Sequence, residues 1–284
     1  MDWDNLKVAL AVSRTGSLTQ AAQTLGIDQS TAGRRLSALE ANLGVILFVR
    51  SKTGFALTDA GEAAIKQVLE VERRVDRMID EVTASDDGPV GTVRLLGNPW
   101  TLERLAGMAI APFLAAHPRL DLRVISLIPR NRVRGEASLS IWFEVEPGEG
   151  EFAIKLGDVP YAVYKARDAA DEPEGWVSFY DEDAVRPNIT RAHKGLRRRG
   201  ERMRLTATDA GIMRAAVGEG VGKGLLPMCL GEADPRLVRV NDGEPDLIRA
   251  LHLHAHPDTV QTLRIQATIR WLRESFERVF HPPG

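Results

Sequence analysis

Apolar residues recur every three or four positions through the first part of the chain. Trp3, Leu6, Ala9, Leu10 and Val12 predict an amphipathic helix over 3–13. Gly16 stops it, and Ser17 stands where a second helix needs its cap. That helix has Leu18, Ala21, Ala22 and Leu25 on one face and ends at Gly26. Ile27 reads as a buried pivot. Asp28 or Ser30 then caps a third helix, with Ala32, Leu36, Leu39 and Leu43 facing inward and Gln29, Thr31, Arg34, Arg35 and Ser37 outward. Residues 48–50 and 55–57 read as two short strands about a turn at 51–54. From Asp59 a different repeat begins: Ala64, Val68, Val71, Val75, Met78 and Val82 alternate at spacings of four and three. This is a heptad seam on one helix of roughly 33 Å, running over 59–82.

Beyond it the pattern changes again. Residues 83–90 (TASDDGPV) are small and polar, with Gly and Pro, and mark a hinge between domains. Strands are expected at 91–96, 120–128, 138–143, 153–157, 161–164, 176–180, 204–208, 224–227, 237–240 and 250–255. Helices are expected at 101–117, 209–217 and 259–279, with Pro112 bending or shortening the first of them. Strands alternating with helices argue an α/β architecture with crossovers.

The bulk numbers leave room for one small and one larger domain: 284 residues, 27% of them charged. A net charge of −2 announces no nucleic-acid partner, so any basic surface must be local. The single cysteine, Cys229, excludes an intrachain disulfide and suits a reducing compartment. The N-terminus opens with two aspartates where a signal peptide has basic residues, and no apolar run reaches the ~20 residues of a membrane helix. A soluble cytoplasmic protein without membrane partners is the expectation.

The polar face of the third helix changes that picture. A helix-turn-helix lays the N-terminal turn of its second helix on base edges in the major groove. Gln29 can pair with adenine, Ser30 and Thr31 can reach base edges or the thymine methyl, and Arg34 and Arg35 can take guanine edges or phosphates. Arg50 and Lys52, in the hairpin that follows, are placed as a wing for phosphate contacts. Through residue 58 there are six basic residues (Lys7, Arg14, Arg34, Arg35, Arg50, Lys52) against four acidic ones (Asp2, Asp4, Asp28, Glu40). The bland alternative is a three-helix module with solvated arginines. Helix, glycine turn, capped helix, wing and long helix in register favour a reader of double-stranded DNA.

Residues 3 to about 82 resemble the N-terminal region of LysR-type transcriptional regulators. The resemblance is carried by SLTQAA at 17–22, ALE at 38–40 with LGV at 43–45, LFVR at 47–50 and LTDAG at 57–61. Gly33 departs from it, since the family more often has Ser there. The resemblance implies that the helix over 59–82 pairs two copies, through Ala64, Val68, Val71, Val75, Met78 and Val82. The pattern alone also allows that helix to dock on its own domain.

The remainder resembles the family's effector-binding domain, itself similar to periplasmic solute-binding proteins. Leu156-Gly157, the run AAVGEGVG at 215–222 and Leu225-Leu226-Pro227 carry the likeness, while 130–151 fits less well, with Ser138 where an Asp is common. The implied fold is multidomain: an all-α winged helix-turn-helix (1–58), a linker helix (59–82), a hinge (83–90) and an α/β regulatory domain (91–284). That domain would comprise subdomain I (91–162 and 255–284) and subdomain II (163–254), joined by crossings near 161–165 and 251–256. A small-molecule effector would sit between them. Asn98 and Thr101, where the first strand meets its helix, and Thr206 and Thr208, at the matching turn, are the candidate contacts. Simple helix capping is the alternative for both turns.

Other features suggest less. Gly218-x-Gly220-x-Gly222-Lys223-Gly224 lacks the spacing of a phosphate-binding loop and reads as tight turns. His252, His254 and His256 alternate on one strand face, but nothing nearby completes a metal site, so neither metal nor cofactor is expected. The basic run through Arg191, Lys194, Arg197, Arg198, Arg199, Arg202 and Arg204 reads as a solvated face. No catalytic constellation is recognisable, so no enzyme is expected. The overall expectation is a homodimeric or homotetrameric DNA-binding regulator modulated by an effector. Its rival is a constitutive DNA-binding protein whose C-terminal domain serves oligomerisation alone.

Overall fold

A computed structural model describes residues 2–51, 54–83, 88–126, 138–144, 147, 152–169, 175–179 and 199–282. Two compact units meet at Val82–Thr83.

The first unit holds α1 (Trp3–Thr15), α2 (Leu18–Leu25), α3 (Gln29–Leu43), β1 (Phe48–Ser51), β2 (Gly54–Leu57) and α4 (Asp59–Thr83). Each early boundary has a local cause. Asp2 caps α1 through Asp4 N, Ser17 caps α2 through Gln20 N, and Gly16, Gly26 and Gly44 close the three helices in the left-handed conformation. Asp28 occupies the cap position of α3 without a side-chain bond. β1 and β2 pair antiparallel, Phe48 opposite Leu57 and Arg50 opposite Phe55. The core gathers Val8, Leu10, Val12, Ala21, Leu36, Leu39 and Leu47 from the reader with Ile65, Val68 and Leu69 from α4.

The second unit is built on β3 (Gly91–Gly97), α5 (Pro99–Leu105), a π-helical turn (Ala106–Ile110), α6 (Ala111–Ala116), β4 (Leu120–Ser126), β5 (Leu139–Phe143), β6 (Phe152–Ala166), β7 (Trp176–Phe179), β8 (Met203–Ala207), α7 (Ala210–Gly218), β9 (Lys223–Pro227), α8 (Met228–Gly231), β10 (Leu237–Arg239), β11 (Leu247–Ala255), α9 (Pro257–Val260) and α10 (Leu263–Phe280). The strand order is β4-β3-β5-β11-β6-β9-β7-β8, with β10 also on β6. β3 runs parallel to β4 and β5, and β7 parallel to β8 and β9. In the middle β11 lies between β5 and β6 and pairs antiparallel with each.

Three expectations are corrected here. Residues 153–157 and 161–164 are one strand, β6, which pairs with β11 from Phe152 to Tyr161 and with β9 from Tyr161 onward. Pro160 fits because its fixed φ is compatible with extended backbone. The helix expected over 259–279 is broken: α9 stops at Val260 and Thr262 starts α10. The helix after β3 begins at Pro99 and passes through the π-helical turn just before Pro112, which has no N–H to bond back to the preceding turn.

The sheet serves two cores. Val93, Leu95, Leu139, Ile141, Val159 and Tyr161 join Trp271, Leu272 and Phe276 of α10 in one. Ala162, Tyr164, Val177, Met213, Val217 and Leu226 form the other. The change of core falls between Tyr161 and Ala162. Gly157 lets the Phe276 ring lie against β6, where a Cβ would come within 2.1 Å of it.

Candidate DNA-reading surface and effector cleft

α3 presents Gln29, Ser30 and Arg34 exposed, with Thr31 and Arg35 half-exposed. Arg35 is engaged, its Nη2 lying 3.4 Å from Asp4 Oδ2 on α1. Arg34, beside it, is exposed. Arg50 lies in β1 opposite Phe55, and Lys52 lies outside the described residues. The wing is held by bonds whose partners are scattered in sequence. Glu40 on α3 accepts from Leu47 N (2.7 Å) and Phe48 N (3.2 Å). Phe55 N donates to Gly16 O (2.8 Å). The Thr58 hydroxyl donates to Ile46 O (2.7 Å) and accepts from Gly61 N (2.9 Å), starting α4.

α4 divides the expected seam. Val68 is 5% exposed and packs with Ile65 and Leu69 in the reader's own core, and Ala64 packs against that core. These two positions are corrected from intermolecular seam to intradomain contact, because the first three turns of α4 already have a partner. Val71 is 41% and Met78 56% exposed, and Val75 is half-buried; at Val82 only the helical backbone is described. Arg14 fixes this helix to the reader with a fork to Glu72, Nη1–Oε1 3.0 Å and Nη2–Oε2 2.6 Å.

In the second unit Asn98 occupies the cap position of α5 without a side-chain cap bond. Thr101 is fully buried, and its hydroxyl donates to Asn98 O at 2.8 Å. That bond ties the buried hydroxyl into the turn itself. Thr206 is exposed on β8, and Thr208 is half-buried beyond the strand's end. Between Thr208 and α7 stands Asp209, whose Oδ1 accepts from Gly211 N (2.8 Å) and Ile212 N (3.2 Å). The helix start that could bind an anion already holds a carboxylate. α5 and α7 come into contact.

A cluster that sequence reasoning missed joins β11 to the end of β5. Arg249 of β11 reaches Glu144, at the end of β5, with Nη2–Oε2 at 3.3 Å and Nε–Oε1 at 3.4 Å. Its guanidinium lies over Phe143, 4.6 Å from the ring centroid, and over Tyr161 at 5.6 Å. Burial pushes the Tyr161 hydroxyl up to about 12, against the opposing pull of Arg249. Trp100 stacks on Phe143 at 5.7 Å. The pair is 105 residues apart in sequence, and no local pattern announces it.

Elsewhere the chemistry is structural. Cys229 is buried, and burial raises its thiol to about 11. Tyr164 donates to Glu232 at 2.8 Å, and burial raises it well above its ordinary value. Gly220 takes the left-handed conformation (φ 76°), and a Cβ on Gly222 would come within 2.8 Å of Gly175 O, so this glycine run makes tight turns. His254 is buried, with His252 and His256 half-buried, and among the described residues no group of three His, Cys, Asp or Glu is placed to hold a metal. Arg199, Arg202 and Arg204 are exposed; Arg191, Lys194, Arg197 and Arg198 lie outside the described residues. Among the described residues no helix is long and apolar enough to cross a membrane.

Residues 3–62 match the family described as bacterial regulatory helix-turn-helix protein, lysR family, and residues 86–277 match the LysR substrate binding domain. The chain belongs to the LysR family. It carries the DNA-binding domain of a LysR-type transcriptional regulator, a non-enzymatic class, followed by the substrate-binding domain. It is 29% identical over 175 residues to the HTH-type transcriptional regulator TcbR of Pseudomonas sp. (strain P51), a match spanning 59% of each chain. It is 25% identical over 233 residues to the Mau operon transcriptional activator of Paracoccus denitrificans, spanning 80% of each. Among solved structures, a full-length OxyR variant from Pseudomonas aeruginosa superposes with a TM-score of 0.70 at 17% identity, covering 96% of this chain and 98% of that one. CbnR in complex with its target DNA superposes at 0.61 and 17% identity, covering 97% and 100%. The fold is thus a winged helix-turn-helix joined to a domain like the periplasmic solute-binding proteins.

Proposed function

We propose that this LysR-family chain acts in the cytoplasm as a paired reader of a two-fold related DNA operator, switched by a small molecule held between the two halves of its C-terminal domain. The single observation that carries it is the division of α4. Its first turns are bonded into the reader, and Val71 and Met78 beyond them are left uncovered. A second copy is the partner that covers such a stripe on both chains at once. Gln29, Ser30, Thr31 and Arg34 then meet base edges, with Arg35, Arg50 and Lys52 on the phosphates. The capture of CbnR with its target DNA supports the DNA half of this reading.

Asn98, Thr206 and Thr208 flank the effector crevice, with Thr101 fixing the first turn. One observation favours the rival, a constitutive binder: the turn before α7 is already capped by the chain's own carboxylate, Asp209 accepting from Gly211 N and Ile212 N. Mapping bound sites with the purified chain yields the operator. Gln29→Ala then costs roughly 10- to 100-fold at one base pair of each half-site, and Arg34→Ala weakens every sequence alike or at one guanine. A footprint without two-fold symmetry overturns pairing. A melting temperature unmoved by any metabolite in a broad screen favours the constitutive reading.

A further inference from the structure

The Arg249 cluster stands where a ligand of a defined charge would go. β3 and β5 run parallel, and Gly97 pairs with Ile141, so the carboxyl ends of both strands lie side by side. In sheets of this kind ligands bind outside the carboxyl ends of the strands, where the connections part to either side. Arg249 lies there, its side chain 11% exposed, between rings that shield it from water. A guanidinium in such surroundings recognises a carboxylate by a planar two-point fork.

Besides the Tyr161 hydroxyl, 3.5 Å from Nη1, Arg249 is held by Glu144, which fits that role poorly. The two contacts to Glu144, at 3.3 and 3.4 Å, are about 0.5 Å longer than a tight charged fork. Glu144 is the one non-glycine among the described residues with positive φ, at 52°. It reaches Arg249 from a backbone conformation that side chains disfavour. A contact that is long and made from a strained residue can be exchanged.

We propose that Arg249 is the anchor for a carboxylate-bearing effector and that Glu144 is its internal placeholder, displaced when that carboxylate binds. The inference rests on the effector reading above and supplies its ligand chemistry. The carboxylate goes to Arg249 and not to the start of α7, where Asp209 already caps the helix and repels an anion. Displacing Glu144 frees the end of β5 beside Phe143 and Trp100, linking the ligand to the start of α5.

The test uses the full chain and acetate as the probe, with acetamide as its uncharged counterpart and sodium chloride to match ionic strength. Glu144→Gly removes the placeholder and suits the left-handed backbone; Glu144→Gln keeps the shape and removes the charge. Both variants should show a saturable rise in melting temperature with acetate, half-complete at about tenfold less acetate than wild type needs, the equivalent of one charged contact no longer competed for. Acetamide should do nothing, and adding Arg249→Met should abolish the response. Equal effects of acetate and acetamide, or a response that survives Arg249→Met, would overturn the proposal and leave the pair as a brace between β5 and β11. Operator footprints taken in parallel separate the two readings. Acetate bound through Arg249 with an unchanged footprint keeps the ligand chemistry and refutes effector control; no acetate response refutes the ligand chemistry whatever the footprint does.

Discussion

Replacing Val71 and Met78 by glutamate separates two jobs that share one helix. Both side chains are on α4, and 41% and 56% of their surface is uncovered. Full burial of such a side chain contributes about 2 kcal/mol, so covering the exposed part contributes about 1 kcal/mol each. A symmetric pair counts both residues twice, giving roughly 4 kcal/mol, or about a thousandfold in the dimer constant. Charge repulsion between facing glutamates adds to the loss. The fold of the reader should be untouched, since exposed substitutions stay within about 0.5 kcal/mol. Val68→Glu is the contrast. It drives a carboxylate into a site 5% exposed and should unfold the first unit outright. Sedimentation equilibrium reads the pairing, fluorescence anisotropy with operator DNA reads the binding, and urea titration reads the fold. A Val71→Glu, Met78→Glu protein of native mass that binds its operator at full strength refutes the division of α4.

Three further outcomes test the structure. Glu40→Ala leaves the N–H groups of Leu47 and Phe48 without their acceptor; a loss of about 1–3 kcal/mol in the urea stability of the first unit is expected, with weaker operator binding as the wing loosens. Asp234 is held below its ordinary value, first by its hydrogen bonds from Arg236, so its stabilisation is fully present above the normal carboxylate range and is lost as pH falls through the depressed value. Wild type should therefore melt above Asp234→Asn at pH 7, and the gap should close toward pH 3; a gap independent of pH contradicts the pairing. Thr101→Val deletes a buried hydroxyl bonded to Asn98 O and should cost about 1 kcal/mol of second-unit stability by calorimetry, while Thr206→Val, on an exposed strand position, should cost nothing measurable.

The elements of the reader were legible because local causes make them: Ser17 as a cap, Gly16 and Gly26 as stops, apolar residues at helical spacing. The heptad positions of α4 were equally visible, but periodicity says which face is apolar and not what covers it. Val68, packed in the reader's own core, therefore shares its heptad stripe with the uncovered Val71 and Met78. In the second unit Gly157 and Pro160 looked like a break between strands, yet extended backbone suits both, and β11 on one side and β9 on the other carry β6 across them. The candidate threonines were found from strand-to-helix turns, a local signal. Arg14–Glu72 and Arg249–Glu144 join residues 58 and 105 apart, and only the fold brings such charges together.

The Arg14–Glu72 fork makes the reader and α4 a single lever. A helix of 25 residues spans about 37 Å, so tilting it by about 5° sweeps its far end through roughly 3 Å. One base pair rises about 3.4 Å along DNA. Were two such levers paired as proposed, a change of angle too small to disturb either core would be enough to move a reading head into or out of register with its half-site.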